Sequence, residues 1–162
     1  MNSMKDIRKI IGTAPMFMPA AGIILYQNGK ILLQKRGDNG KWALHGGAME
    51  MGETTEETAV REAREEIGIT PVELDFYGVF SGKQMYHIYP DGNEVYIIST
   101  VYFCDEYSGE LKVDENEVLE VKWFDIDKLP ENIAPIDSFI LENIHEYIEA
   151  KYKSVSYTHL TL

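Results

Sequence analysis

The stretch that decides the fold runs from His45 to Gly68 and reads HGGAMEMGETTEETAVREAREEIG. Two adjacent glycines open it, and a segment with a helical pattern follows. Thr54 and Glu57 form a capping-box pattern and Gly68 is a typical C-terminal stop, so we predict a helix between them. We expect the core-facing stripe of this helix to consist of Ala59, Ala63 and Ile67.

Three glutamates of the helix, Glu62, Glu65 and Glu66, are separated by three and four residues and therefore share a face. Carboxylates that close together repel one another and raise each other's pKa unless a cation lies among them. Glu66 lies beside Ala59 around the helix, so the acids follow the edge of the core, where a cleft can form. Hard oxygen ligands in a cleft suit Mg²⁺ or Mn²⁺. The alternative is a solvated acidic face with ordinary surface ion pairs.

The glycine pair in front of the helix is the second feature of the stretch. Gly46 and Gly47 permit a close approach of the backbone, and a carbonyl group there can point at the same metal ion. The alternative is a simple turn, which is the usual role of two adjacent glycines.

The whole stretch resembles the Nudix box, G-x5-E-x7-R-E-U-x-E-E-x-G-U, where U is a bulky aliphatic residue. The match runs from Gly47 to Ile69, and every fixed position is present. Ala63 is a mild departure at an aliphatic position, and His45 stands where many members of the family have proline. The similarity extends over roughly residues 18 to 148.

The resemblance implies a Nudix hydrolase, which cleaves the pyrophosphate of a nucleoside diphosphate linked to another moiety by attack of water at phosphorus. It implies Mg²⁺, with Mn²⁺ as a substitute, because the substrate and the transition state are highly anionic. Glu65 and Glu66 are then the best metal ligands, joined by the Gly46 carbonyl. Glu62 is either a further ligand or the general base.

Other site residues follow from the same resemblance. Arg61 is expected to orient the glutamates through paired hydrogen bonds, and Glu53 to brace the loop against the helix. An extra acid from outside the box is common in the family, and we favour Glu117 as ligand or base. The competing acids in that loop are Asp114 and Glu115, and a solvated acidic loop is the alternative. Arg36 is a candidate phosphate contact, with an exposed strand-end cation as its alternative; Lys35 is the weaker choice by strand alternation.

The rest of the chain predicts an α/β fold. Segments 18–27 and 30–35 read as a hairpin joined by Asn28-Gly29, which suits a type I′ turn. Most of the segment from Val72 to Phe124 has a strand pattern, a short amphipathic helix precedes Gly12, and a last helix carries the apolar positions 140, 144, 147 and 148. We predict one domain over residues 1–153, a Nudix-type α/β/α sandwich with a mixed sheet. Residues 154–162 break the helical pattern and are expected to be disordered or artefactual.

Composition narrows the possible functions. The net charge of −12 argues against non-specific binding to nucleic acid or to an anionic membrane. Cys104 is the single cysteine, which excludes an internal disulfide, and the early residues lack a signal-peptide pattern, so a cytoplasmic protein is expected. A nucleotide-type small molecule is the expected partner, and a homodimer is compatible with the sequence. Two alternatives are a catalytically silent Nudix-like nucleotide-binding module and an acidic Ca²⁺-binding protein; the latter lacks EF-hand spacing.

Overall fold

A computed structural model of the protein describes the backbone of residues 4–160 and the side chains of residues 4–153. The helices are α1 (Met4–Ile11), α2 (Thr55–Ile67), α3 (Pro135–Ile140) and α4 (Ile144–Leu160). The strands are β1 (Met16–Gln27), β2 (Lys30–Arg36), β3 (Trp42–Ala43), β4 (His45–Ala48), β5 (Thr70–Pro71), β6 (Asp75–Phe80), β7 (Tyr86–Ile88), β8 (Glu94–Cys104), β9 (Tyr107–Ser108) and β10 (Val118–Asp125). A short 3₁₀ helix spans Lys83–Met85.

The described strands form one mixed sheet and a separate two-stranded ribbon. The path through the large sheet is β10-β2-β1-β8-β6, with β3 on β2, β4 on β1 and β7 on β8. Strands β1 and β8 are parallel, while the other pairs are antiparallel. The β1–β2 hairpin turns at Asn28 and Gly29, whose φ angles of 51° and 78° fit the predicted type I′ turn.

Helices cover both faces of the sheet, so the predicted α/β/α arrangement is confirmed. On one face the α2 residues Ala59, Ala63 and Ile67 pack against Ile23 and Leu25 of β1. On the other face the side chains of α3 and α4 pack against the alternate positions of β1 and β2. Because strand side chains alternate between faces, a strand between two helical layers is apolar throughout, as residues 20–25 are.

The start and end of α2 follow the sequence signals. Thr54 accepts a hydrogen bond from the Glu57 amide, and the Glu57 side chain accepts one from the Thr54 amide, which completes the capping box. Gly68 ends the helix in the left-handed region with φ 74°. These two ends fix the rotation of α2, and with it the direction in which its glutamates point.

The C-terminal part differs from the prediction of a single helix. Residues 141–143 form a turn between α3 and α4, so Ile140 belongs to a separate short helix. The amide of Ile144 donates to Leu141 O at 3.1 Å, an i to i+3 contact that tightens the backbone there. Ile140 and Ile144 are nevertheless buried in the same core. Apolar spacing alone therefore could not reveal the break.

The two ends of the chain can be compared with the predicted N-terminal helix and C-terminal tail. The short N-terminal helix ends before Gly12, as expected, and Gly12 has a φ of 67°. The backbone of α4 continues as a helix to Leu160, into the segment expected to be a tail. Residues 161–162 lie outside the described range, so the expectation for 154–162 stays a prediction. Among the helices between residues 4 and 160, none is long and apolar enough to cross a membrane.

Candidate active site

The site forms where β4 passes close to β1 and under α2. A Cβ atom on Gly46 would lie 2.6 Å from the Ala21 carbonyl oxygen and 2.7 Å from the Gly22 Cα, so only glycine fits. A Cβ on Gly47 would lie 2.5 Å from a carboxylate oxygen of Glu62. The predicted close approach of the glycine backbone is confirmed, and it makes room for a carboxylate.

Glu66 is the most buried acid of the helix, with 5% of its surface exposed. Its Oε1 accepts a hydrogen bond from the Gly46 amide at 2.8 Å, and its Oε2 accepts one from the Gln34 side chain. Burial raises its pKa to about 8, helped by the nearby charges of Glu62 and Glu117. A buried carboxylate with like charges around it is a site where a cation would be bound favourably.

Glu62 lies next to Glu66 on the same face, against Gly47. Its side chain is 14% exposed, and Arg61 Nη1 donates to its Oε1 at 2.8 Å. Burial raises the pKa of Glu62, while Arg61 opposes the shift and the charges of Glu65 and Glu117 add to it. The charges of Glu65 and Glu117 thus act on Glu62, and those of Glu62 and Glu117 act on Glu66.

Arg61 holds the loop and the glutamates together. Its guanidinium donates to both carboxylate oxygens of Glu53 at 2.7 and 3.0 Å and to the Ala48 carbonyl at 2.9 Å. Glu53 also accepts from the Glu50 amide and the Thr58 hydroxyl. The hydrogen bonds from Arg61 lower the pKa of Glu53 to about 2. This geometry is that of the expected brace between loop and helix.

Glu65 differs from its two neighbours. Its side chain is 59% exposed, and its contact with Arg61 is 3.2 Å long. It does not line the cleft that contains Glu62 and Glu66. The structure therefore brings two of the three predicted box acids together, with the third at the rim beside Arg61.

Among the three loop acids, only Glu117 lines the same cleft as the box glutamates. The loop is fixed to the end of α2, because the Asp114 amide donates to the Glu66 carbonyl at 3.0 Å. The Gly37 amide donates to the Glu117 carbonyl at 2.9 Å from the other side. The charge of Glu117 raises the pKa of both Glu62 and Glu66, although its side chain is exposed like that of Glu115.

The cleft has a volume of about 630 Å³ and extends well beyond the glutamates. Arg36 lies in its wall, and its guanidinium makes two hydrogen bonds of 2.9 Å to the carboxylate of Asp38. The hydrogen bond to Asp38 raises the pKa of Arg36 and the charge of Asp137 acts in the same direction, while burial opposes them. Arg36 thus lies in the cleft wall, but a substrate phosphate would have to compete with Asp38 for it, and its role as a phosphate contact stays a prediction. Lys35 does not line the cleft and lies over the ring of Trp42 instead.

Several residues of the cleft were not predicted from the sequence. Asp137 accepts a hydrogen bond from the Leu44 amide at 3.0 Å, and burial raises its pKa to about 6. Pro135 lies at the first position of α3, where a proline is a sequence signal for the start of a helix. This helix carries Asp137 in its first turn. His87 is half-buried in the cleft wall with its ring 4.6 Å from that of Tyr89. Gln34 had no sequence signal at all.

The remaining aromatic residues and the cysteine have structural surroundings. Tyr77 and Phe80 pack on the core below α3, whereas Tyr96 is largely exposed. Cys104 is fully buried, its thiol donates to the Glu106 carbonyl at 3.1 Å, and burial raises its pKa. A buried thiol with a raised pKa is a poor nucleophile.

The donor chemistry of the site suits a divalent cation. Hard carboxylate oxygens of Glu62, Glu66 and Glu117 line the cleft, and the space above Gly47 that a Cβ would fill holds a carboxylate. Across the described residues, no three His, Cys, Asp or Glu side chains already stand as a metal-holding group. Glu66 accepts hydrogen bonds from Gly46 and Gln34, and Glu65 accepts one from Arg61.

Comparison with known proteins identifies the family. The profile of the NUDIX domain matches residues 16–144. An ADP-ribose pyrophosphatase of Methanocaldococcus jannaschii is 39% identical over 118 residues, which cover 69% of this chain and 65% of that protein. The chain thus spans slightly less than two thirds of the length of that relative. The Nudix hydrolase YvcI of Bacillus subtilis, described as uncharacterized, is 31% identical over 74% of this chain and 73% of its own length.

Solved structures agree with the sequence relatives. A MutT Nudix hydrolase from Burkholderia pseudomallei is 28% identical with a TM-score of 0.68, over 80% of this chain and 97% of that one. A MutT protein from Methanosarcina mazei has a TM-score of 0.69 at 24% identity, over 83% and 96% of the two chains, which speaks for the fold alone. The chain belongs to the Nudix family, and both the predicted family and its α/β fold are confirmed.

Proposed function

We propose that this chain hydrolyses the pyrophosphate linkage of a nucleoside diphosphate derivative with the help of a divalent cation. The observation that supports this best is the arrangement of Glu62, Glu66 and Glu117 in the wall of one cleft. A silent binding module has no need for Glu62 and Glu117 to lie beside the buried Glu66 and raise its pKa. The name of the relative from M. jannaschii makes ADP-ribose the first substrate to test.

The chemical step is a displacement at phosphorus. A water molecule attacks one phosphorus of the pyrophosphate, a new P–O bond forms, and the bond from that phosphorus to the bridging oxygen breaks. The proton of the water passes to a carboxylate, and Glu62 and Glu117 are the two candidates for this base. The leaving phosphate carries away the electron pair of the broken bond.

Glu66 would hold Mg²⁺ or Mn²⁺, with Glu65 and the Gly46 carbonyl as further candidate ligands. Glu62 would be a ligand as well if Glu117 is the base. Such an ion, when bound, neutralises phosphate charge and lowers the pKa of the attacking water. Arg61 positions the acids, because its guanidinium connects Glu62 to the loop. Arg36 would contact a phosphate once that phosphate displaces Asp38.

The test is a substrate panel with and without metal. ADP-ribose, nucleoside triphosphates, dinucleoside polyphosphates, nucleotide sugars and 5′-triphosphate RNA are each incubated with the protein in Mg²⁺ or Mn²⁺. We expect turnover of at least one, its loss with EDTA and its return with excess metal. Turnover that persists after thorough chelation would contradict the mechanism.

The alternative is a catalytically silent module that binds a nucleotide. It predicts saturable binding of one panel member with no product after long incubation in Mn²⁺. A homodimer and a cytoplasmic location also remain predictions, and light scattering on the purified chain tests the first of them.

A further inference from the structure

Glu66 is connected to the core on its far side by a chain of buried polar groups. Gln34 Nε2 donates to Glu66 Oε2, and Gln34 Oε1 lies 2.8 Å from His45 Nδ1. His45 Nε2 lies 3.0 Å from the carbonyl oxygen of Leu32. Gln34 and His45 are 4% and 1% exposed. The sequence pattern assigned no role to Gln34 and noted His45 only as a departure from proline.

The three hydrogen-bonded side chains come from three elements of secondary structure, which must pack together correctly for the site to form. Gln34 lies on β2, His45 begins β4, and Glu66 lies in the last turn of α2. A primary amide has one donor end and one acceptor end. When His45 Nδ1 carries a hydrogen and donates to Gln34 Oε1, the NH₂ end of Gln34 must face Glu66. A neutral imidazole carries one hydrogen, and both ring nitrogens of His45 face oxygen acceptors, so in this tautomer Nε2 has no hydrogen to donate to the Leu32 carbonyl. In this Nδ1–H tautomer the histidine selects which end of the amide meets the carboxylate.

We propose that Gln34, oriented by His45, is a positioning residue that fixes the carboxylate of Glu66 for cation binding. Glu66 Oε1 is held by the Gly46 amide, so Gln34 is the partner that fixes the second oxygen. With both oxygens held, the carboxylate plane has one orientation, and a metal ion meets a preorganised ligand. Partners of this kind are worth about tenfold to a hundredfold in metal affinity or activity at known metal sites.

This inference rests on the proposed function, since it concerns a cation held by Glu66. The probe is Mn²⁺ itself, titrated into the metal-free protein while free Mn²⁺ is followed by electron paramagnetic resonance. Gln34→Leu keeps the approximate size of the side chain and removes its hydrogen bonds. We expect its Kd for Mn²⁺ to rise about tenfold or more, with a native circular dichroism spectrum.

A pair of histidine variants tests the orienting role. In His45→Asn the side-chain amide lies where Nδ1 was, so the contact to Gln34 is kept while the one to Leu32 is lost. In His45→Leu both contacts are lost. We expect His45→Asn to bind Mn²⁺ more tightly than His45→Leu. This comparison decides the question even if Gln34→Leu fails to fold.

Tyr77→Phe is the control for loss of a hydrogen bond elsewhere. It removes the 2.8 Å hydrogen bond to the Ile140 carbonyl and leaves the hydrogen bonds between Glu66, Gln34 and His45 intact. It should lower the melting temperature without changing the Kd for Mn²⁺. The inference is overturned if folded Gln34→Leu binds Mn²⁺ like the wild type, or if the two histidine variants bind it equally. If the wild type itself neither binds Mn²⁺ nor hydrolyses any panel substrate, the proposed function fails instead.

Discussion

Replacement of Asp137 by asparagine should change the dependence of stability on pH. The carboxylate accepts a hydrogen bond from the Leu44 amide at 3.0 Å. Burial raises its pKa from 3.8 to about 6, although the Leu44 amide and the charge of Arg36 oppose the shift. Asparagine keeps an oxygen that can accept from Leu44 but has no charge to bury.

The sign and size of this pH effect follow from the difference in the pKa of Asp137 between the folded and unfolded states. Because the folded state holds its proton more tightly, ionisation of Asp137 destabilises the fold as the pH rises from about 4 through 6. The full shift corresponds to roughly 3 kcal/mol in the free energy of unfolding, at about 1.4 kcal/mol per pKa unit. Asp137 keeps some contact with the cleft, so this is an upper bound. About half of it, roughly 1.4 kcal/mol, should develop between pH 5 and pH 8.

The assay is urea unfolding of the wild type and Asp137→Asn at several values of pH between 5 and 8. The stability of the variant relative to the wild type should rise with pH. Asp91→Asn serves as the control, because Asp91 is exposed in a turn and the substitution removes the same charge from a chain with a net charge of −12. A pH trend shared by both variants would report net charge only. A loss of stability in Asp137→Asn that grows with pH would refute the reasoning, since it would mean that attraction to Arg36 outweighs burial.

Two further substitutions test the reading of the site. Cys104→Ser should leave kcat of the folded protein within about twofold of the wild-type value. It should lower the melting temperature, because a hydroxyl replaces a buried thiol. A collapse of kcat in well-folded protein would show that the thiol takes part in the chemistry. Gly47→Ala should reduce metal-dependent turnover strongly, because the added Cβ would lie 2.5 Å from Glu62 Oε1 and displace that carboxylate. If the variant keeps the wild-type turnover, the position of Glu62 is not critical.

Much of the fold could be predicted because its signals are local. The ends of α2 depend on Thr54, Glu57 and Gly68, which act within one turn of the backbone. The first hairpin depends on two residues with positive φ. The break between α3 and α4 was missed because the apolar residues on both sides of it pack into one core, so their spacing carries no mark of the turn.

The site could be predicted in part for the same reason. Glu62 and Glu66 lie on one helix, where spacing determines which residues share a face. Gln34 and Asp137 are brought to the cleft by strand pairing and by the return of the chain after β10, and no local pattern marks such long-range contacts. The exposure of Glu65, at 59%, also depends on packing around the helix rather than on its position in the box.

The central claim is that the buried acids of α2 are a catalytic metal site, and Glu66→Gln measured beside Glu56→Gln tests it most directly. Glu66 is buried at the cleft, whereas Glu56 is exposed on another face of the same helix. With the substrate that the panel identifies, Glu66→Gln should lose metal-dependent turnover by orders of magnitude, because charge stabilisation of the transition state is the main catalytic effect. Its metal-free melting temperature should stay level or rise, and Glu56→Gln should keep nearly full turnover. Equal losses in the two variants, or a strongly lowered metal-free melting temperature for Glu66→Gln, would contradict the account and make the acidic stripe a structural network.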